Sequence, residues 1–224
     1  MSYTILSAVT NNYDTICDCN DTDADKRILY TDCLSTAKYW EQRLLSPNHE
    51  FPFDDIFNIR WNPFDHTSTD YAVWVDGSVS VIGTLKPYID EFERSGSDIA
   101  LIRHPFRDNI FNEYVEWCLT RNYNKMHAFN WLKRMSENGW DPKNKGLYQV
   151  GVCFFKNNDA IKDFGRSVID ELHYFNGEHL ERLDQTVVTY LLKTKFKDLK
   201  VFELSADMYK TGPSLRIHWC HPRY

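Results

Sequence analysis

The sequence predicts an α/β fold: a mixed, largely parallel sheet with helices packed on its faces. Short apolar, β-branched runs alternate with helix-length amphipathic segments along the whole chain. Most of the apolar runs stop at a polar residue, as strands do when their carboxyl ends open onto a ligand face. No Pro- or Gly/Ser-rich linker, repeat or low-complexity stretch divides the 224 residues, so 1–224 read as one domain.

Tyr3–Val9 is the first predicted strand, short, apolar and β-branched. Thr10–Asp14 follows as a polar turn, and Asp14–Lys26, with five Asp, reads as a solvated acidic loop. Arg27–Thr31 is a second strand. Asp32 then caps an expected helix running to Leu45, with Leu34, Ala37, Trp40 and Leu44 near helical spacing. Ser46–Asp70 looks irregular, with one short strand over Ile56–Trp61. Tyr71–Val75 is a strongly apolar strand that stops at Asp76-Gly77-Ser78. Pro87 starts a helix to Arg94, closed by Gly96. Asp98–Ile102 is a strand, and Asn109–Arg121 and Lys125–Asn138 are helices. Met126, Phe129, Leu132 and Met135 form the expected core side of the second of these, which Gly139 ends. Tyr148–Phe155 is a further strand, Ala160–Leu172 and Leu180–Leu192 are helices, and Lys200–Leu204 is the last strand.

Composition narrows the function. A net charge of -6 disfavours a general nucleic-acid binder, which needs a basic excess to neutralise phosphates. No run of 18 apolar residues predicts a transmembrane helix. Met1-Ser2-Tyr3 opens without the basic and apolar regions of a secretory leader, so the six cysteines are expected as reduced thiols in a cytoplasmic setting. Cys17, Cys19 and Cys33 lack the paired spacing of a zinc site and read as buried or loop thiols. Lys193, Lys195, Lys197 and Lys200 read as a solvated basic run. P-loop, dinucleotide, zinc-protease and nucleophile-elbow motifs are all missing.

The strand ends are the candidates for chemistry. Asp76 ends an apolar strand, and Ser78 offers an oxygen close by. A carboxylate with neighbouring oxygens, leaving positions for diphosphate, suits Mg²⁺ or Mn²⁺. Taken alone, the segment reads first as a turn. Arg103, His104 and Arg107 form a basic cluster at another strand end, suited to phosphate or carboxylate, or to an ion pair with Asp108.

Several segments then fall in order. Thr4–Asp14 is an apolar strand, a small loop and Tyr13-Asp14; Ile28-Leu29-Tyr30-Thr31-Asp32 ends a strand on Thr-Asp. Trp74-Val75-Asp76-Gly77-Ser78, His104-Pro105-Phe106-Arg107-Asp108 with Glu113, Gly151-Val152-Cys153-Phe154-Phe155, and Asp184-Gln185-Thr186 follow. Together they resemble the glycosyltransferase-like proteins of plants and bacteria once classed as a domain of unknown function. They also resemble, more loosely, viral glycosyltransferase domains that decorate capsid glycans.

The resemblance implies a GT-A fold with a nucleotide sugar over the carboxyl ends of the first strands. It implies that Ala8, Val9, Thr10, Tyr13 and Asp32 line the nucleoside pocket, and that Arg103, His104 and Gly151 join the donor site. Gln149 and Gly151 lie on the strand that in such folds passes under the donor sugar. Asp76 and Ser78 approach Mn²⁺ or Mg²⁺, directly or through water, since Ser78 stands where the commoner motif has a second Asp. In retaining enzymes of that fold a tail histidine often completes the metal site, and here His218, in preference to His221, would do so unless the tail histidines are simply packed or solvated. Asp184, Arg107 and Asp76 form the implied catalytic set, with Asp184 orienting the sugar or acceptor, serving as base in an inverting reaction, or simply capping its helix.

The expected function is metal-dependent transfer of a hexose or deoxyhexose from a nucleotide-diphosphate donor, UDP-sugar favoured, to a glycan or glycoprotein. Two rivals stand beside it. One is a catalytically inactive glycan-binding or scaffold domain. The other is a nucleotidyltransferase, although Thr10-Asn11-Asn12-Tyr13 lacks the glycine-rich basic loop of that class.

Overall fold

A computed structural model describes residues 1–10, 16–46, 53–120, 125–174, 184–210 and 212–217. Its centre is a seven-stranded sheet. In chain order the strands are β1 (Tyr3–Val9), β2 (Lys26–Thr31), β3 (Glu41–Leu44), β4 (Tyr71–Val75), β6 (Ile99–Arg103), β7 (Tyr148–Lys156) and β8 (Val201–Leu204). The short strands β5 (Val79–Val81) and β9 (Leu215–Ile217) pair separately as an antiparallel ribbon. The helices are α1 (Asp54–Trp61), α2 (Lys86–Ser95), α3 (Ile110–Thr120), α4 (Lys125–Glu137), α5 (Asp159–Tyr174), α6 (Asp184–Lys193) and α7 (Asp207–Lys210).

The sheet order is β3-β2-β1-β4-β7-β6-β8. Among these strands β7 alone runs antiparallel to its neighbours β4 and β6. The carboxyl ends of the other six, and the start of β7, therefore share one edge of the sheet. The chain moves outward from β1 through β2 to β3, then returns to place β4 on the other side of β1. The crevice between β1 and β4 is thus the topological switch point, where open α/β sheets collect ligands.

Strand alternation divides the apolar residues between two cores. Leu6, Ala8, Ile28, Ala72, Trp74, Leu101, Cys153 and Phe155 face one layer, with α1, α4, α5 and α6. Ile5, Val73, Val75, Ala100, Ile102, Val152 and Phe154 face the other, with α2, β5 and Leu215. Burial on both faces explains why the central strands read as continuous apolar runs.

The expected α/β architecture, a mixed and mostly parallel sheet flanked by helices, is what forms. Several elements differ from expectation. The strand expected over Ile56–Trp61 is the helix α1: Asp54 and Asp55 occupy its first turn and Arg60 its last, matching the helix dipole. The helix expected over Asp32–Leu45 does not form. Leu34 and Leu44 are solvent-exposed, Gln42 bonds Ser35 and Ala37 through its amide, and β3 pairs parallel with β2. In the acidic loop Asp18, Asp23 and Asp25 are exposed as expected, but Asp21 is fully buried and anchors the loop, accepting hydrogen bonds from Tyr3 Oη and Leu85 N, each at 2.7 Å. On α4 the buried side is Ala128, Trp131 and Met135, whereas Met126 and Phe129 face solvent. Gly96 and Gly139 end α2 and α4 with φ of 65° and 77°, the left-handed region that glycine enters without a Cβ clash. The last long helix begins, among the described residues, at Asp184. Tyr13, His218 and His221 lie outside the described residues.

Candidate functional site

Tyr71–Val75 is wholly buried, so β4 delivers Asp76 to the sheet edge as the first polar group the strand meets. Two backbone bonds fix it there. Asp76 N donates to Gly151 O at 2.8 Å, and Val79 N closes the Asp76-Gly77-Ser78 turn onto Asp76 O at 2.9 Å. The β6–β7 register breaks at the same level: Leu101 pairs with Cys153, but Ile102 pairs with Gln149. Val150, Gly151 and Val152 are thus left without partners on β6, a bulge beside the end of β4, as bulges often are next to sites.

A cleft of about 190 Å³ opens here, lined among others by Ala8, Arg60, Asp76, Gln149, Gly151 and Asp184. Phe53, Phe57 and Trp117 supply aromatic walls and Gln185 a further amide. Sites that enclose a whole drug-sized ligand span roughly 300–1,000 Å³, so this cleft is too small to enclose one.

Its most unusual member is Arg60, at the end of α1. The guanidinium is 8% exposed and bridges two carboxylates, Nη2 to Asp76 Oδ1 and Nη1 to Asp184 Oδ2. It also lies 4.7 Å from the centre of the Trp74 ring, and Trp74 Nε1 donates to Asp76 Oδ1 at 2.8 Å. Burial works against the arginine's charge, but Asp76 and Asp184 outweigh it and hold the pKa above its usual value. The triad carries one net negative charge. Beneath it, burial raises the Cys153 thiol well above its ordinary range, so Cys153 stays protonated and inert.

A second network supports the first. Asp184 Oδ1 accepts from Gln185 N at 2.9 Å, and Gln185 Nε2 donates to Glu113 Oε1 at 2.6 Å. Glu113, buried on α3, accepts from Arg107 Nε at its other oxygen. His104 Nδ1 accepts from the backbone N–H groups of Phe106 (3.2 Å) and Arg107 (3.0 Å). Burial, and then the Arg107 charge, push His104 down to about 4, so it is neutral at pH 7. Burial raises Glu113, and Arg107 offsets part of that. The basic cluster thus resolves into separate parts. Arg107 pairs with Glu113, Asp108 pairs with Lys145 at 3.3 Å, and Arg103 pairs with Glu203 on β8.

Of the residues singled out in the sequence, Ala8, Asp76, Gly151 and Asp184 meet in the cleft, and Arg107 reaches it through Glu113 and Gln185. Val9 and Thr10 are buried at the end of β1, and Asp32 follows the end of β2. None of these three, nor Ser78, Arg103 or His104, is among the lining residues. Arg60, Phe53, Phe57 and Trp117 were not anticipated. A charge set inside the apolar run Ile59-Arg60-Trp61 was the available signal for Arg60.

Among the described residues, no three His, Cys, Asp or Glu side chains converge as a metal cage. Mg²⁺ and similar ions held with a nucleotide need only one or two carboxylates, with phosphates and water completing the shell. Both carboxylates are tied to Arg60, but Asp76 is 32% exposed at the cleft and Asp184 only 5%, so Asp76 is the more accessible to such an ion. β9 ends at Ile217, whose backbone is paired with Val79 beside the Asp76–Ser78 turn.

No protein-family model matches the chain, and no curated protein matches it. No helix among the described residues is long and apolar enough to cross a membrane.

Proposed function

We propose that this cleft transfers a sugar from a nucleoside-diphosphate donor, UDP-sugar favoured, to a glycan or glycoprotein acceptor, in a fold of the GT-A type. One observation carries the reading: Asp76 and Asp184 meet across the buried Arg60 at the switch point of the sheet, against aromatic walls. Carboxylates accept hydrogen bonds from hydroxyls, and aromatic faces pack on the C–H faces of a sugar ring. That combination suits a polyol far better than a flat or wholly apolar ligand. The strand order, with β7 the antiparallel member next to β4, is compatible with GT-A.

In this reading Asp76 holds Mn²⁺ or Mg²⁺, with the donor's diphosphate supplying further oxygens. Ser78 and, in the tail, His218 are the candidate additional ligands. When bound, the ion supplies Lewis-acid stabilisation of the departing diphosphate. Arg60 fixes the spacing of Asp76 and Asp184 by holding one oxygen of each. Asp184 has one oxygen on Arg60 and the other on Gln185 N, which suits orienting sugar hydroxyls better than taking a proton. Arg107 acts at a distance, by holding Glu113 and through it Gln185. The acceptor hydroxyl forms a bond to the anomeric carbon, the bond from that carbon to the phosphate oxygen breaks, and the acceptor proton passes to base or leaving group.

The same walls would serve a glycan-binding domain that performs no transfer. Incubation with Mn²⁺ and UDP-glucose, UDP-galactose or UDP-N-acetylglucosamine separates the two. A transferase slowly releases UDP to water when no acceptor is present, and D76N abolishes that release. Binding of sugars without any release of UDP from any of the three would leave only the scaffold.

A further inference from the structure

The cleft wall holds a polar group that the chemistry above leaves unused. Gln149 Oε1 is buried and has no hydrogen-bond partner among the described residues, yet Gln149 lines the cleft. Buried amide oxygens are nearly always paired, so a bare one calls for a donor from outside the protein. The residue itself is firmly placed. Ile102 pairs with it across β6 and β7, and its neighbour Tyr148 donates its backbone N–H to Thr189 Oγ1 at 3.1 Å. Arg60 Nε, on another wall of the same cleft, is likewise buried without a partner. An unpaired acceptor and an unpaired donor thus belong to two residues that line one cleft, and a hydroxyl group both donates and accepts.

We propose that Gln149 is a specificity-determining residue for the transferred sugar, accepting a hydrogen bond from one of its hydroxyls. The inference rests on the reading of the cleft as a nucleotide-sugar site. The missing partner must be a donor. A diphosphate at neutral pH has essentially no hydrogen to give, so the donor is a group of the sugar or of the nucleoside, and comparing UDP with UDP-sugars separates the two. Asp184, whose oxygens are already held by Arg60 and Gln185 N, lines the same cleft and leaves Gln149 Oε1 as the cleft's unpartnered acceptor among the described residues.

Calorimetric titration with Mn²⁺ present tests this in the wild type and in Gln149→Leu, which removes the amide at similar volume. UDP, UDP-glucose, UDP-galactose and UDP-N-acetylglucosamine are the probes. The expected result is unchanged affinity for UDP and a loss of about tenfold or more for at least one UDP-sugar, in line with one lost hydrogen bond that leaves a buried hydroxyl unpaired. The Tm of the variant should hold or rise, because no bond within the protein is lost. Equal weakening of UDP and UDP-sugars would assign Gln149 to the nucleoside and overturn the proposal. Unchanged affinity for every probe overturns it too, and a lower Tm alongside would mark the amide as structural. If the wild type binds UDP and the variant shows no selective loss, the transferase reading survives and this inference falls. If the wild type binds no UDP, both fall.

Discussion

Arg60 carries a charge that water barely reaches, and its value depends on two partners 16 and 124 residues away in the chain. Removing one member of a buried ion pair strands the remaining charge, which costs about 3–5 kcal/mol. R60L should therefore lose stability of that order in urea unfolding at pH 7, since Asp76 and Asp184 would face each other without a cation. A loss well under that range would mean that solvent already screens the triad. His104 makes a different prediction. Its folded pKa of about 4 lies below the ordinary 6.5, so the unfolded chain takes up the proton first. The histidine's contribution is complete above pH 6.5 and is lost as pH falls from there toward 4. Glu113, whose pKa is raised, acts in the opposite direction. H104N, whose amide oxygen can still accept the Phe106 and Arg107 N–H bonds, isolates the histidine. Its Tm should fall less than the wild type's between pH 6.5 and 4. Of these two residues His104 was visible in the sequence, but its role was not. A histidine between arginines suggests phosphate until the backbone bonds to Nδ1 are known.

At the scale of elements, the seating of α1 decides whether Arg60 reaches its carboxylates. α1 packs against α5 at Gly165, where an added Cβ would fall 1.8 Å from the backbone oxygen of Trp61, the residue next to Arg60. G165A must push the helices apart, and overpacking of this kind costs typically about 1–3 kcal/mol. The expected outcome is a lowered Tm together with weakened ligand binding, as Arg60 shifts with its helix. A lowered Tm with intact binding would separate α1 seating from the site. Asp21 is the comparable anchor on the other face. D21A leaves Leu85 N and Tyr3 Oη without their acceptor, and should cost about 1–3 kcal/mol in chemical denaturation. Neither feature was legible. Ile56–Trp61 is apolar on nearly every side, so its period does not distinguish a short buried helix from a strand. Leu34, Ala37, Trp40 and Leu44 happen to fall at helical spacing in a segment that Gln42 ties into an irregular turn. The central strands were legible, because burial on both faces leaves an unbroken apolar run that ends where the sheet ends.

At the scale of the whole molecule, one sheet edge gathers the chemistry. β1, β4 and the bulged start of β7 bring Ala8, Asp76 and Gly151 together, and α1 and α6 close over them with Arg60 and Asp184. Asp76 could be named from sequence because a strand that stops at a polar residue advertises its own end, whereas Gly151, inside β7, was named only through the family resemblance. Arg60 and Trp117 could not, because they arrive from helices whose packing over the edge is set by long-range contacts. The triad's net negative charge bears directly on ligand binding. A diphosphate should be repelled by Asp76 and Asp184 until a divalent cation accompanies it. The most direct measurement is calorimetric titration of UDP into the protein with Mn²⁺ and with EDTA, repeated for D76N. Binding should require Mn²⁺ and should weaken by about tenfold or more in D76N, equivalent to about 1.4 kcal/mol. UDP binding that is indifferent to both Mn²⁺ and Asp76, or no binding at all, would contradict it.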